Sequence, residues 1–198
     1  VTPDVRKLIR RVVLAFGITL VLSVIATTVI GRFIGNEASL ASSLLLAFTP
    51  AFFAASIACW TTIVPVDGGE RDMFGANQSL QKTVTRAVMR PRSDGADTVG
   101  DPAEQLTPPQ RHLAARFAAI QSVALPFQVG QGLFALVAMM FFAASNVLDA
   151  QKDFDAAYLF ALALGTITIA TVLPIALRRW HTIKRYRDDH QEDLVDAG

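Results

Sequence analysis

The sequence predicts an all-α integral membrane protein: a bundle of four transmembrane helices, readable as two hairpins in parallel repeat, with an amphipathic interfacial helix in the cytoplasmic loop between them. Three observations lead there. Of 198 residues, 52% are hydrophobic and only 18% charged, and mean hydropathy is +0.40, outside the usual balance of a soluble domain. The charges are also segregated: no Asp, Glu, Lys or Arg occurs from Val12 to Gly31, Ala38 to Val66, Phe117 to Leu148, or Ala156 to Leu177. Each run reaches the roughly 20 residues that cross about 30 Å of hydrocarbon as a helix. Finally, basic residues crowd the same ends of these runs, as expected of loops retained on the cytoplasmic side.

The first helix is expected over about residues 3–31. Thr2 is placed to cap it and Pro3 to occupy its first turn, where a missing N–H costs nothing. Arg6, Lys7, Arg10 and Arg11 precede the apolar run, which resembles the start of a signal peptide. The run exceeds a usual signal core and lacks a small-x-small cleavage site, so a retained helix is expected. The second helix, about 38–64, completes a first hairpin over residues 1–66. Near its end lies Cys59, the single cysteine; an intramolecular disulfide is therefore excluded, and a small packing residue is the expected role.

The cytoplasmic loop, 67–106, is not uniform. In "SLQKTVTRAVMR" Leu80, Val84 and Val88 form one stripe, while Lys82, Arg86 and Arg90 form another about 200° away. An amphipathic helix over about 79–90 follows, suited either to an anionic leaflet or to packing on the protein's own helices. The preceding "VDGGERD" reads as a turn; Asp67, Glu70 and Asp72 offer carboxylates to a cation there, but that reading is the weaker one. "RPRSDGADTVGDPAEQL" reads as a flexible link.

The second hairpin, 107–187, holds helices over about 108–148 and 156–186, followed by an acidic tail, 188–198. Thr107 and Gln110 match a capping box, with Pro108 at the first helical position. "TPDVRKLIRR" at Thr2 matches "TPPQRHLAAR" at Thr107, and "WTTI" at Trp60 matches "WHTI" at Trp180. A duplicated hairpin related about the membrane normal would produce these matches. So would recurrent caps and interfacial tryptophans, and both origins stay open.

Positive residues orient the chain. Arg71, Lys82, Arg86, Arg90, Arg92, Arg111 and Arg116 fill the central loop, and Arg178, Arg179, Lys184, Arg185 and Arg187 follow the last helix, against only Arg32 and Lys152 in the short turns. Both termini are expected in the cytoplasm. The bias of Arg over Lys and the abundance of Ala point to a bacterial cytoplasmic membrane. Candidate headgroup contacts are Lys82, Arg86, Arg90, Arg178, Arg179, Trp60 and Trp180.

Function is narrowed chiefly by exclusion. No ionisable residue falls inside the apolar runs, which argues against a proton relay or voltage sensor. His112, His181 and His190 lie outside them, so haem between helices is not expected. No phosphate loop, metal cluster or nucleophile elbow is present, no cofactor is implied, and the basic residues follow the membrane rule rather than a nucleic-acid pattern.

The most unusual stretch is "ALPFQVGQGLF". Pro126 removes a backbone donor and frees the carbonyl at Ser122, a break that survives in lipid only when neighbours satisfy the freed group. Gln128 and Gln131 share a face and are expected to point inward. Gly130 and Gly132 admit a close helix. Thr49 beside Pro50, and Thr168 and Thr171 before Pro174, complete the set of candidate packing or cavity residues. The leading expectation is a non-enzymatic accessory, assembly or scaffold subunit that packs on itself or on other membrane chains. Its alternatives are a small oligomeric permease or channel for a neutral or lipid-like solute, and, least favoured, an enzyme acting at the cytoplasmic face.

Overall fold

The computed structural model describes residues 5–34, 40–74, 77–89, 106–149, 156–190 and 192, excluding the side chains at 5, 30–34, 40, 62–73 and 149. Within these residues the protein is all-helical. The helices are α1 (Val5–Ile34), α2 (Leu40–Phe74), α3 (Gln78–Met89), α4 (Pro108–Asp149) and α5 (Ala156–Asp189). All but α3 contain stretches long and apolar enough to cross a membrane. All four exceed that need, α4 most of all: it has 42 residues, about 63 Å at 1.5 Å per residue, twice the hydrocarbon thickness.

In α2, α4 and α5 the surplus length belongs to a separate body. The chain forms two compact units, one of Val1–Thr62 with Phe127–Leu173, the other of Ile63–Pro126 with Pro174–Gly198. This grouping cuts across both hairpins, because α2, α4 and α5 each divide between the units.

In the first unit, α2 and α4 pack through phenylalanines. Phe52 lies 6.2 Å from Phe134 and 5.2 Å from Phe141, and Phe48 lies 5.6 Å from Phe141. Phe16 of α1 meets Phe52 edge to face at 5.1 Å. Such pairs each contribute about 0.5–1.5 kcal/mol beyond the area they bury. Small residues on α2, Ala47, Ala51, Ala55 and Ser56, are buried, so the helix offers a smooth face. Between α4 and α5 the contact is tightest at Gly165, where a Cβ would stand 2.7 Å from Met140 Cγ and 2.8 Å from its Sδ. Any Cβ there would force the Met140 side chain to shift. The outer surfaces are aliphatic: Leu22 is 61% exposed on α1, and Phe160 is 69% exposed on α5. In water such surfaces would be a liability; facing lipid they are ordinary.

The second unit has a core of its own. Val84 and Val88 of α3 are fully buried with Phe74, Leu106, Ala114, Phe117, Ala118, Ile183 and Tyr186. Phe74 and Phe117 meet edge to face at 5.7 Å. The stripe read from the sequence thus packs on the protein, while Lys82 and Arg86 remain exposed. Asn77 caps α3: its Oδ1 accepts from Leu80 N at 3.1 Å, and its carbonyl accepts from Gln81 N at 3.2 Å, satisfying donors that a helix start leaves free. At the start of α4, Thr107 N donates to Gln110 Oε1 at 3.0 Å, one half of the expected box.

Helix α2 continues ten residues beyond 64, to Phe74. The "VDGGERD" stretch read as a turn is helical backbone. Burial of Phe74 in the second unit's core supplies the physical reason, since tertiary packing overrides the weak propensity of two glycines. The side chains of Asp67, Glu70 and Asp72 lie outside the described residues, as do Thr2, Pro3 and Arg90.

Candidate functional site: the proline break in α4

Pro126 lies inside α4 and is exposed. Its missing N–H leaves the Ser122 carbonyl without the donor that a regular helix would supply. The indole of Trp180 takes that place: Nε1–H donates to Ser122 O at 3.0 Å. Both groups belong to the second unit. The Ser122 hydroxyl is engaged as well, donating to Ala119 O at 2.8 Å and accepting from Arg187 Nη1 at 3.2 Å. Arg187 also holds Asp188 through Nη2 at 2.7 Å and Nε at 3.0 Å.

Two turns of α5 therefore close over one broken turn of α4. Trp180 and Arg187 are seven residues apart, two helical turns, so they share a face. Around them, Lys184 Nζ lies 5.6 Å from the Trp180 ring centroid and the His181 ring 5.3 Å away. The buried surroundings of Ser122 are small, with Ala118, Gln121 and Ala124 nearly or fully enclosed. Chemically this arrangement holds a backbone break shut.

In the first unit, a hydrogen bond links α2 to α4: Ser56 Oγ donates to the backbone carbonyl of Gln131 at 2.9 Å. Gly130 sits beside it, where a Cβ would stand 3.6 Å from Cys59 Sγ, an ordinary contact. The carboxamides of Gln128 and Gln131 are half-buried rather than enclosed, and neither hydrogen-bonds among the described residues. Gly132 is exposed, with open space where its Cβ would be.

The remaining candidates do not gather into one site. Thr49 donates to Leu45 O at 3.4 Å, Thr168 to Leu164 O at 2.7 Å and Thr171 to Ile167 O at 2.9 Å. These hydroxyls return to their own helices. Pro50 and Pro174 are exposed and belong to different units. Of the headgroup candidates, Lys82, Arg86, Arg178, Arg179 and Trp60 are exposed, whereas Trp180 is half-buried with its N–H directed onto Ser122. Among the described residues no three His, Cys, Asp or Glu side chains gather as a metal ion requires.

Sequence reasoning located the freed carbonyl but not its donor, because a contact between residues 58 apart has no local signature. Ser56 and Arg187 were missed for the same reason. Among the described residues, the fold and site define an all-helical chain with four membrane-length helices, in which the break at Pro126 is satisfied by the chain's own side chains. No protein-family profile, curated protein or solved structure matches the chain.

Proposed function

We propose that this chain is a non-enzymatic integral membrane subunit, an accessory, assembly or scaffold component of a complex in the bacterial cytoplasmic membrane. Both termini and the central loop, 67–106, face the cytoplasm in this reading, following the distribution of Arg and Lys. The observation that carries it is the Trp180–Ser122 bond. Broken membrane helices of transporters offer freed carbonyls to ions or substrates. Here that carbonyl is occupied by an indole, so the break serves packing between helices.

Native mass spectrometry of the chain in lipid nanodiscs, drawn from its own membrane, tests the proposal. A stoichiometric companion subunit, or a self-assembly without solute flux, is expected. A monomer that moves a solute across liposomes refutes it.

A second reading, a small oligomeric permease for a neutral solute, draws support from one observation: the carboxamides of Gln128 and Gln131 have no hydrogen bond among the described residues. Solute flux in liposomes that Gln128→Leu with Gln131→Leu abolishes, with the fold intact, selects it. Absence of flux under varied gradients removes it.

A further inference from the structure

The outer face of α4 differs from those of α1 and α5. Within the first unit, Phe134, Phe141 and Gly130 turn toward α2, while Leu136 and Met140 meet α5 at Gly165. The remaining arc carries Gln128, Gly132, Ala135, Met139, Phe142 and Asn146. These positions alternate by four and three residues, the spacing of a helix–helix seam. Met139 is 59% and Phe142 47% exposed, and Gly132 is open. An open glycine also occurs on α1, at Gly17, but a lipid-facing surface has no use for a carboxamide. The outer faces of α1 and α5 do carry hydroxyls, but Thr27, Thr28, Thr166, Thr168 and Thr171 each donate to a carbonyl of their own helix. Asn146 also returns its amide to Phe142 O at 2.8 Å. The amide of Gln128 does not, and Gln131, at the edge of the same arc, has none either among the described residues.

We infer that this face of α4 binds the same face of a second copy of the chain, with Gln128 pairing across the contact. A carboxamide holds both a donor and an acceptor, so it complements itself. Copies inserted in one orientation are related by a twofold axis along the membrane normal, which brings Gln128 to the same depth as its counterpart without any further requirement. A foreign chain would need a matching polar group at that depth. Gly132, one turn on, lets the two backbones close enough for the amides to meet. The inference rests on the membrane-subunit reading and names its partner.

Cysteine cross-linking in native membranes tests it, in a Cys59→Ala background. Met139→Cys is expected to give a disulfide-linked homodimer, while Ile167→Cys, 60% exposed on α5, gives none. Fluorescence transfer between labelled copies in liposomes is expected to show Gln128→Leu weakening association about tenfold, the loss of two interhelical amide bonds of about 0.6–1 kcal/mol each, with Gln128→Asn retaining most of it. Equal cross-linking at Ile167, or association unchanged by Gln128→Leu, overturns the inference. Capture of a different chain at Met139 overturns the self-pairing and leaves the subunit reading standing. No adduct, together with a monomeric native mass and no companion chain, overturns both.

Discussion

Replacing Trp180 with Phe removes the indole N–H together with part of the ring, and the consequence of losing the N–H is set by Pro126. In an unbroken helix the Ser122 carbonyl would receive the amide of residue 126; here it receives the indole at 3.0 Å. The group is enclosed, Ser122 being 7% exposed, so water does not readily substitute. An unsatisfied buried acceptor costs about 1–3 kcal/mol, and Trp180→Phe is expected to destabilise by that amount. Pro126→Ala restores the intrahelical donor, so in its background the same replacement is expected to cost about 1 kcal/mol less. The difference is the coupling energy of a double-mutant cycle, in which the lost ring area cancels. Folding can be followed by circular dichroism as mixed micelles are titrated with denaturing detergent. If Trp180→Phe costs the same with proline and with alanine at 126, the indole is only a packing group and the proposed role of the break fails.

Other predictions follow from single contacts. Gly165→Val should destabilise by about 1–3 kcal/mol through overpacking; adding Met140→Ala should recover much of the loss, and no recovery would mean that the α4–α5 approach is not limited by Met140. Asn77→Ala should cost about 1 kcal/mol and appear as faster amide exchange confined to the first turn of α3. Ile183→Ala, at 0% exposure, should cost about 2–5 kcal/mol, measured by the same detergent titration; a neutral result would deny the second unit a packed core. With Cys59→Ala as background, impermeant thiol reagents should reach Gln81→Cys and Asp153→Cys from opposite sides of the membrane, and labelling from one side would refute the proposed topology.

Much of the architecture was legible in the residues themselves. Four apolar runs, their flanking arginines and the α3 stripe are one-dimensional patterns, because helical period and the cost of charge in hydrocarbon act locally along the chain. One half of the capping box, the Thr107 N–H to Gln110 bond, and the freed carbonyl at Ser122 were readable for the same reason. Chain pattern also implied that a broken helix must be satisfied by neighbours. It did not indicate how the 32-residue charge-free run of Phe117–Leu148 divides: the part before 127 packs in the second unit, the remainder in the first. Apolar side chains that face lipid and those that face a protein core have the same composition. Nor could sequence foresee α2 passing through Gly68 and Gly69, since Phe74 is held by Phe117, 43 positions away along the chain. Only the tertiary structure decided which donor reached Ser122, which carbonyl Ser56 took, and which face of α4 was left with amides unspent. Those are contacts between distant residues, settled by packing rather than by any preference of the chain near them.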